Sequence, residues 1–293
     1  MTDSSKEGFL ITRRKTLPAL SMGIIGMTTH TSQAARQQAT VTQIRNATLR
    51  INYGGVRFLV DPMLDDQGTS PGFPGSANSE RRNPLVPLPM PVTDIADVDA
   101  VIVTHLHTDH WDERAKAQIG KSLSLFAQND EDAAAIREAG FTDVRVLAET
   151  SEFNGVRLAR TGGQHGTDAT LKAVPRLGKV CGVVFSHPSE KTLYIAGDTI
   201  WNGHVEQAIA RHQPEVIVLN AGKATFIGLD PIIMGEEDVR AVHRAAPKAT
   251  LIASHMEAVN HCILSRADLR AFAEREGFVA NLRVPADGEA IAL

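Results

Sequence analysis

Ala100-Val101-Ile102-Val103-Thr104-His105-Leu106-His107-Thr108-Asp109-His110 is the stretch on which the fold turns. Its first part is a short, uninterrupted apolar run, the pattern of a buried strand. Its second part places three histidines and an aspartate where that strand ends. Alternation beyond the strand lets His105 and His107 point the same way, while Asp109 and His110 on the following turn face a neighbouring position. Imidazole nitrogens and carboxylate oxygens together suit zinc, iron or manganese. A purely structural role is poorly supported, because four adjacent polar side chains at a buried strand end need a partner.

Working outward, three further polar residues follow apolar runs. His165 sits in the glycine-rich turn Gly162-Gly163-Gln164-His165-Gly166, Asp198 follows Leu193 to Ile195, and His255 follows Leu251-Ile252. Each alone reads as an ordinary turn former or hydrogen-bonded residue. Together with the first cluster they form a set that can converge on one edge of a sheet. His261 is an alternative to His255; His255 is preferred because it directly ends a strand. Glu257 and Asn260 either support a ligand or begin the next segment. Lys223 and Asn220 are candidate contacts for an anionic substrate, and Trp111 and Trp201 candidate pocket walls.

The remaining pattern alternates between strand and helix. Thr48 to Tyr53 and Val56 to Val60, around Gly54-Gly55, read as a hairpin. Residues 62–91 are rich in Pro and Gly and read as a long surface loop, a length that is usually functional or disordered. Strands are expected at 123–126, 144–147, 156–159, 180–185, 192–195, 216–219 and 250–253, with helices at 130–138, 206–211 and 236–245. A last helix starts from the Ser265 and Asp268 N-cap pattern and ends near Gly277. No internal repeat is visible, although hairpins occur in both halves. The expected class is α/β with mixed sheets.

In order and spacing these residues resemble the metallo-β-lactamase-fold hydrolases, from about Asn46 to the C-terminus. Within that superfamily, Asp61-Pro62-Met63 and Ser254 to His261 look most like the group containing ascorbate-phosphate lactonase and the N-acyl-phosphatidylethanolamine phospholipase. The resemblance implies an αββα sandwich of two mixed β-sheets flanked by helices. It implies two divalent metal ions, zinc first with manganese or iron as alternatives. One would be held by His105, His107 and His165, the other by Asp109, His110 and His255, with Asp198 bridging. A hydroxide between the ions is the implied nucleophile, and Asp109 and Asp198 the candidate catalytic residues. Asp61 is read as accepting a hydrogen bond from a ligand imidazole.

Asp198 narrows the chemistry, since the family's true β-lactamases generally lack a bridging carboxylate there. An ester, lactone or phosphodiester is the expected bond, in a small-molecule substrate. Trp201 stands where the best-known quorum lactonases carry a tyrosine, so that specificity is not expected. Two competing classes are a mononuclear iron oxygenase of the same fold and a non-catalytic metal-binding protein.

Bulk properties fit an ordinary globular protein: 293 residues, 43% apolar and 22% charged. A net charge of -4 concentrates no basic surface for nucleic acid. Cys181 and Cys262 make neither a disulfide framework nor a Cys-rich zinc site, and two free thiols are the preferred reading. The N-terminus is basic at Lys6, Arg13, Arg14 and Lys15, then apolar from Leu17 to Met27, then small at Ser32-Gln33-Ala34. That order is an export signal of twin-arginine type, with Thr16 where the motif usually has Phe. Residues 1–35 are therefore expected to be a removed leader and 36–293 a single hydrolase domain, periplasmic or secreted. A plain basic tail on a cytoplasmic protein is the alternative, and no stable membrane insertion is expected. Mass spectrometry of the protein from its native host should find a start near Ala35; an intact Met1 on exported protein would contradict the leader.

Overall fold

The computed structural model describes Gly8 and residues 38–293; the expected leader, 1–35, otherwise lies outside the described residues. Gln37–Leu293 forms one compact unit. The strands and helices run β1 (Thr40–Arg45), β2 (Thr48–Tyr53), β3 (Val56–Val60), α1 (Val92–Ile95), β4 (Ala100–Val103), α2 (Glu113–Gln118), β5 (Ser124–Ala127), α3 (Asp130–Glu138), β6 (Asp143–Val146), β7 (Ser151–Phe153) and β8 (Val156–Gly162). They continue as α4 (Asp168–Ala173), β9 (Cys181–Ser186), β10 (Leu193–Ile195), α5 (Gly203–His212), β11 (Val216–Asn220), α6 (Glu236–Ala245), β12 (Thr250–Ser254), α7 (Arg266–Arg275), β13 (Leu282–Arg283) and β14 (Ala290–Ala292).

Two seven-stranded mixed sheets result, ordered β14-β1-β2-β3-β4-β5-β6 and β13-β12-β11-β10-β9-β8-β7. In the first, β14, β1, β2 and β3 pair antiparallel and β3 to β6 pair parallel. In the second, β7 to β10 pair antiparallel and β10 to β13 pair parallel. Both sheets thus share one pairing plan, although no repeat shows in the residues. The hairpin expected around Gly54-Gly55 is present, and β9 and β10 form a second one across Pro188-Ser189.

Three apolar layers hold the sandwich together. The inner faces of both sheets meet through Ile51, Phe58, Ile102, Leu158, Phe185 and Ile252. Phe185 packs edge-on against Phe58 at 5.2 Å and Tyr53 at 5.7 Å, geometry that aromatic quadrupoles favour. A second layer sets Val205, Val239 and Leu269 of α5, α6 and α7 against the outer face of one sheet. A third sets Ala115, Ala133 and Ile136 of α2 and α3 against the outer face of the other. Ser265 caps the start of α7 as the sequence suggested, accepting from the Asp268 N–H, and Asn129 caps the start of α3 in the same way from Asp132.

Strand β1 is a finding the sequence did not announce. Its Gln43 and Arg45 are buried. Among the described residues Arg45 has no carboxylate partner; its guanidinium donates to the carbonyls of Met63, Asp65 and Val86 and so ties both ends of the 62–91 segment to the sheet. Burial pushes its pKa down to about 10. No helix among the described residues is long and apolar enough to cross a membrane.

Phe185 sits fully buried between the sheets, so Phe185→Ala should cost about 3–5 kcal/mol of unfolding free energy. Urea denaturation measures it; a loss below about 1 kcal/mol would contradict this packing.

Candidate metal centre

Strand ends from both sheets meet at one edge of the sandwich. β4 delivers His105 and His107. The next turn, in which the amides of His110 and Trp111 both donate to the His107 carbonyl at 2.9 Å, brings round Asp109 and His110. His165 follows β8, Asp198 follows β10 and His255 follows β12. Gly197, just before Asp198, has φ 71°, and a Cβ there would lie 2.4 Å from the Cys181 carbonyl oxygen. No other residue fits that turn. His255 takes φ 57°, a conformation uncommon for a non-glycine residue. Its amide is held by the Asn46 carbonyl at 2.9 Å.

All seven expected ligands lie together. His105, His107 and His165 offer donor atoms within 4.8 Å of one another, as do Asp109, His110 and His255, and His105, His110 and Asp198 form a third group. Asp198 Oδ2 lies 3.2 Å from His110 Nε2, 3.4 Å from His165 Nε2 and 3.8 Å from His105 Nε2. Its Oδ1 lies 3.7 Å from His255 Nε2. His110 Nε2 and His255 Nε2 are 3.2 Å apart, and His105 Nε2 and His107 Nδ1 are 3.0 Å apart. Ring nitrogens crowded in such pairs, nearly all buried, need a proton or a cation between them. This nitrogen and oxygen donor set fits metal ions.

A surrounding layer turns the outward-facing atom of each ring. Asp61 Oδ2 is 3.0 Å from His110 Nδ1, and the same carboxylate takes the Thr104 amide and hydroxyl at 2.7 Å each. Thr104 Oγ1 is in turn 3.1 Å from His105 Nδ1, so Asp61 orients two imidazoles, one directly and one through Thr104. His165 Nδ1 donates to the Ile232 carbonyl at 2.8 Å, and His107 Nε2 to the Arg176 carbonyl at 3.1 Å. His255 Nδ1 meets Cys262 Sγ at 3.3 Å. Asn220 donates to Asp198 Oδ1 at 2.7 Å, and Asn46 to the Asp109 carbonyl at 2.8 Å.

Charge follows this arrangement. Burial raises the Asp198 carboxyl, but His110 and His255 outweigh it and hold it well below the usual range. Asp109 is likewise lowered against burial, by His110 and His255. Burial keeps His165 neutral, its pKa pushed down to about 4, and burial together with His110 and His107 lowers His105. His110 is pushed up to about 10, since Asp198, Asp61 and Asp109 overcome its burial. Asp198, Asp109, His105 and His165 are thereby held in the forms that bind a metal, ionised carboxylate and neutral imidazole, whereas His110 and His255, both raised by the facing carboxylates, would release a proton to a bound ion.

A cavity of about 280 Å³ opens on the cluster. Its walls carry His107, Asp109, His165 and Asp198, with Phe73, Leu106, Leu177, Phe226 and Ile232 as apolar surface and Arg176 as the cation. His261 lines it too, outside the donor groups, packed edge-on against Phe73 at 4.7 Å.

Several expectations need correction. Asn220 is a buried strand residue holding Asp198, not a loop contact for substrate. Lys223 pairs with Glu236 at 2.8 Å and does not line the cavity. Trp111 packs beneath α2 against Phe141, and Trp201 packs on the outer layer over α5; neither lines the cavity. Glu257 pairs with Arg266. Thr104, Cys262 and the Ile232 carbonyl were missed: Thr104 could have been suspected from its place between the strand and His105, whereas a backbone carbonyl leaves no mark in a sequence. Cys181 and Cys262 are free thiols.

Comparison with known proteins agrees with this geometry. Residues 56–256 match the model of the beta-lactamase superfamily domain. The UPF0173 protein YddR of Bacillus subtilis is 48% identical over 250 residues, covering 85% of this chain and 98% of that protein. The crystal structure of an isothiocyanate hydrolase from Delia radicum gut bacteria superposes with a TM-score of 0.84 at 46% identity, covering 87% of this chain and 99% of that one. A possible metal-dependent hydrolase from Veillonella parvula superposes with a TM-score of 0.86 at 42% identity, covering 88% and 100%. With the sandwich fold and the buried His and Asp groups at its edge, these matches make the chain a member of the metallo-β-lactamase superfamily, a metal-dependent hydrolase.

Proposed function

We propose that the chain hydrolyses a small, uncharged, apolar molecule at a dinuclear metal centre. His105, His107 and His165 would hold one ion, Asp109, His110 and His255 the other, and Asp198 both. The observation that carries this reading is the reach of one buried carboxylate to both donor sets: Asp198 Oδ2 lies near His165 and His105 of one and His110 of the other, and Oδ1 lies near His255. Two divalent ions bound there would supply a hydroxide nucleophile at neutral pH and a Lewis acid for the electronegative atom bonded to the centre under attack. Zinc suits the donor set best, with manganese and iron as alternatives that metal analysis separates.

The chain's own residues do the rest. Asp61, Thr104 and the Ile232 carbonyl hold the imidazole rings in orientation. Asn220 fixes the Asp198 carboxylate. Asp109 lines the cavity, where it would help hold the second ion beside the substrate. The apolar wall excludes water from the reacting atoms and seats the organic part of the substrate.

That apolar wall favours an ester or lactone with an apolar organic part; two divalent ions would offset a phosphodiester's charge, so the preference rests on the wall alone. Similarity to the isothiocyanate hydrolase brings in a related electrophile. Water added across the C=N bond of R–N=C=S gives the thiocarbamic acid R–NH–C(=O)–SH, which separates into the amine R–NH2 and carbonyl sulfide. An isothiocyanate is therefore the first substrate to test. Residues 36–293 would be the enzyme and 1–35 its export leader, placing the reaction in the periplasm or outside the cell.

Metal analysis of the loaded protein should count two ions per chain. Asp198→Asn should hold at most one and lose at least about a hundredfold in kcat. Unchanged turnover with two ions retained would contradict the bridge, and one iron per chain with oxygen consumption would favour an oxygenase instead. Asp61→Asn should weaken metal affinity by about 10–100-fold while saturating metal restores turnover. Wild-type affinity in that variant would remove Asp61 from the account.

A further inference from the structure

The 62–91 segment, expected as an irregular loop, carries a folded arm over the cavity. Ser70 and Asn83 pair as a short antiparallel bridge, each amide bonding the other's carbonyl at 2.8 Å, so the chain doubles back between them. Gly72 lies inside this turn, where a Cβ would come within 2.5 Å of the Ser79 and Arg81 carbonyl oxygens. The arm therefore closes only with glycine there. Phe73 follows and lines the cavity. On its far side the arm is joined to the other aromatic wall: Ser76 bridges to Phe226, and the Ala77 amide donates to Thr225 at 3.0 Å.

One buried side chain fastens the arm. Asn260 Oδ1 accepts from the Phe73 amide at 3.0 Å and from Asn83 Nδ2 at 2.8 Å. Its Nδ2 donates to Ser76 Oγ at 2.8 Å and the Ala77 carbonyl at 2.7 Å. Its amide donates to Asn83 Oδ1 at 2.8 Å, and its carbonyl accepts from Asn78 Nδ2 at 3.1 Å. Every polar group of Asn260 is thus spent on residues 73–83. Asn260 belongs to the segment that also bears His255, so the residue fastening the arm stands on the same piece of chain as an expected metal ligand. The adjacent His261 ring supports the Phe73 ring edge-on.

We propose that Phe73 selects the organic substituent of the substrate, preferring an aromatic group over a short alkyl group, and that Asn260 is the positioning residue that holds it there. The rings of Phe73 and Phe226, with Leu177 and Ile232, give the cavity an apolar and aromatic wall beside Asp198 and His165, and the Arg176 guanidinium lies 5.1 Å from the Phe226 ring. A cavity of about 280 Å³ is at the small end of ligand sites, which limits the group to about one ring. The proposal rests on the reading of this cavity as the active site.

The test uses metal-loaded full-length protein and two pairs of probes. Benzyl and methyl isothiocyanate are compared by turnover, and N-benzylacetamide and N-methylacetamide by calorimetric binding. Wild type should prefer the benzyl member of each pair by about tenfold or more, chiefly through KM in turnover. Phe73→Ala should lower that preference about tenfold, chiefly through a higher KM for the benzyl probe and with metal content unchanged. Asn260→Asp should lower it similarly although Phe73 is intact, because the donors to Ser76 and Ala77 are gone. If Asn260→Asp does not fold, Ser76→Ala removes one of those partners and should lower the preference about threefold. An unchanged preference in Phe73→Ala overturns the selection, and a parallel fall in kcat for both probes with loss of metal reduces Asn260 to a structural role. Should wild type hydrolyse neither isothiocyanate yet bind N-benzylacetamide preferentially, with that preference lost in Phe73→Ala, the substrate reading fails and the selecting wall stands.

Discussion

A buried carboxylate that is ionised must be matched by positive charge, and Asp198 is ionised, buried and faced by imidazoles on more than one side. Leaving such a charge uncompensated costs several kcal/mol. Much of the molecule can be read as meeting that requirement. Two sheets with the same pairing plan bring the ends of β4, β8, β10 and β12 to one edge, so that donors far apart in sequence come within a few ångströms. Local strain collects there as well: His255 and Asp61 both adopt positive φ, conformations that persist where the surroundings over-determine them.

Below the donors lies a chain of dependence rather than a single shell. Asp61 reaches His110 directly and His105 through the Thr104 hydroxyl. Asn46, at the turn after β1, holds both the Asp109 carbonyl and the His255 amide. Arg45, one residue earlier, fastens the segment that carries Phe73. A strand that looked unremarkable in sequence therefore tunes the donors and the substrate wall together. Polar side chains buried in a sheet are costly without partners: the Gln43 amide donates to the Asn46 carbonyl and its oxygen accepts from Ser254, while Arg45 donates through both terminal nitrogens to backbone carbonyls and only its Nε is left without a partner among the described residues.

The donors were legible in the sequence because each directly follows an apolar run, and a polar residue leaving a buried strand must be accounted for. Most strands were legible for the same reason, but β1, β7, β13 and β14 were not. The partners were not. Asn220 read as a loop residue because nothing local says that β11 runs one residue further, and β1 escaped because Gln43 and Arg45 break its apolar alternation. The 62–91 segment has no periodicity at all; its shape comes from Asn260, nearly two hundred residues away, and long-range hydrogen bonds leave no local pattern. The matching pairing plan of the two sheets is a property of topology and needs no similarity between their residues.

Anomalous diffraction at the zinc edge from crystals grown with zinc tests the central claim most directly. The account predicts two peaks flanking the Asp198 carboxylate, one beside His105, His107 and His165 and the other beside Asp109, His110 and His255. A single peak, or a second one away from Asp198, would contradict it.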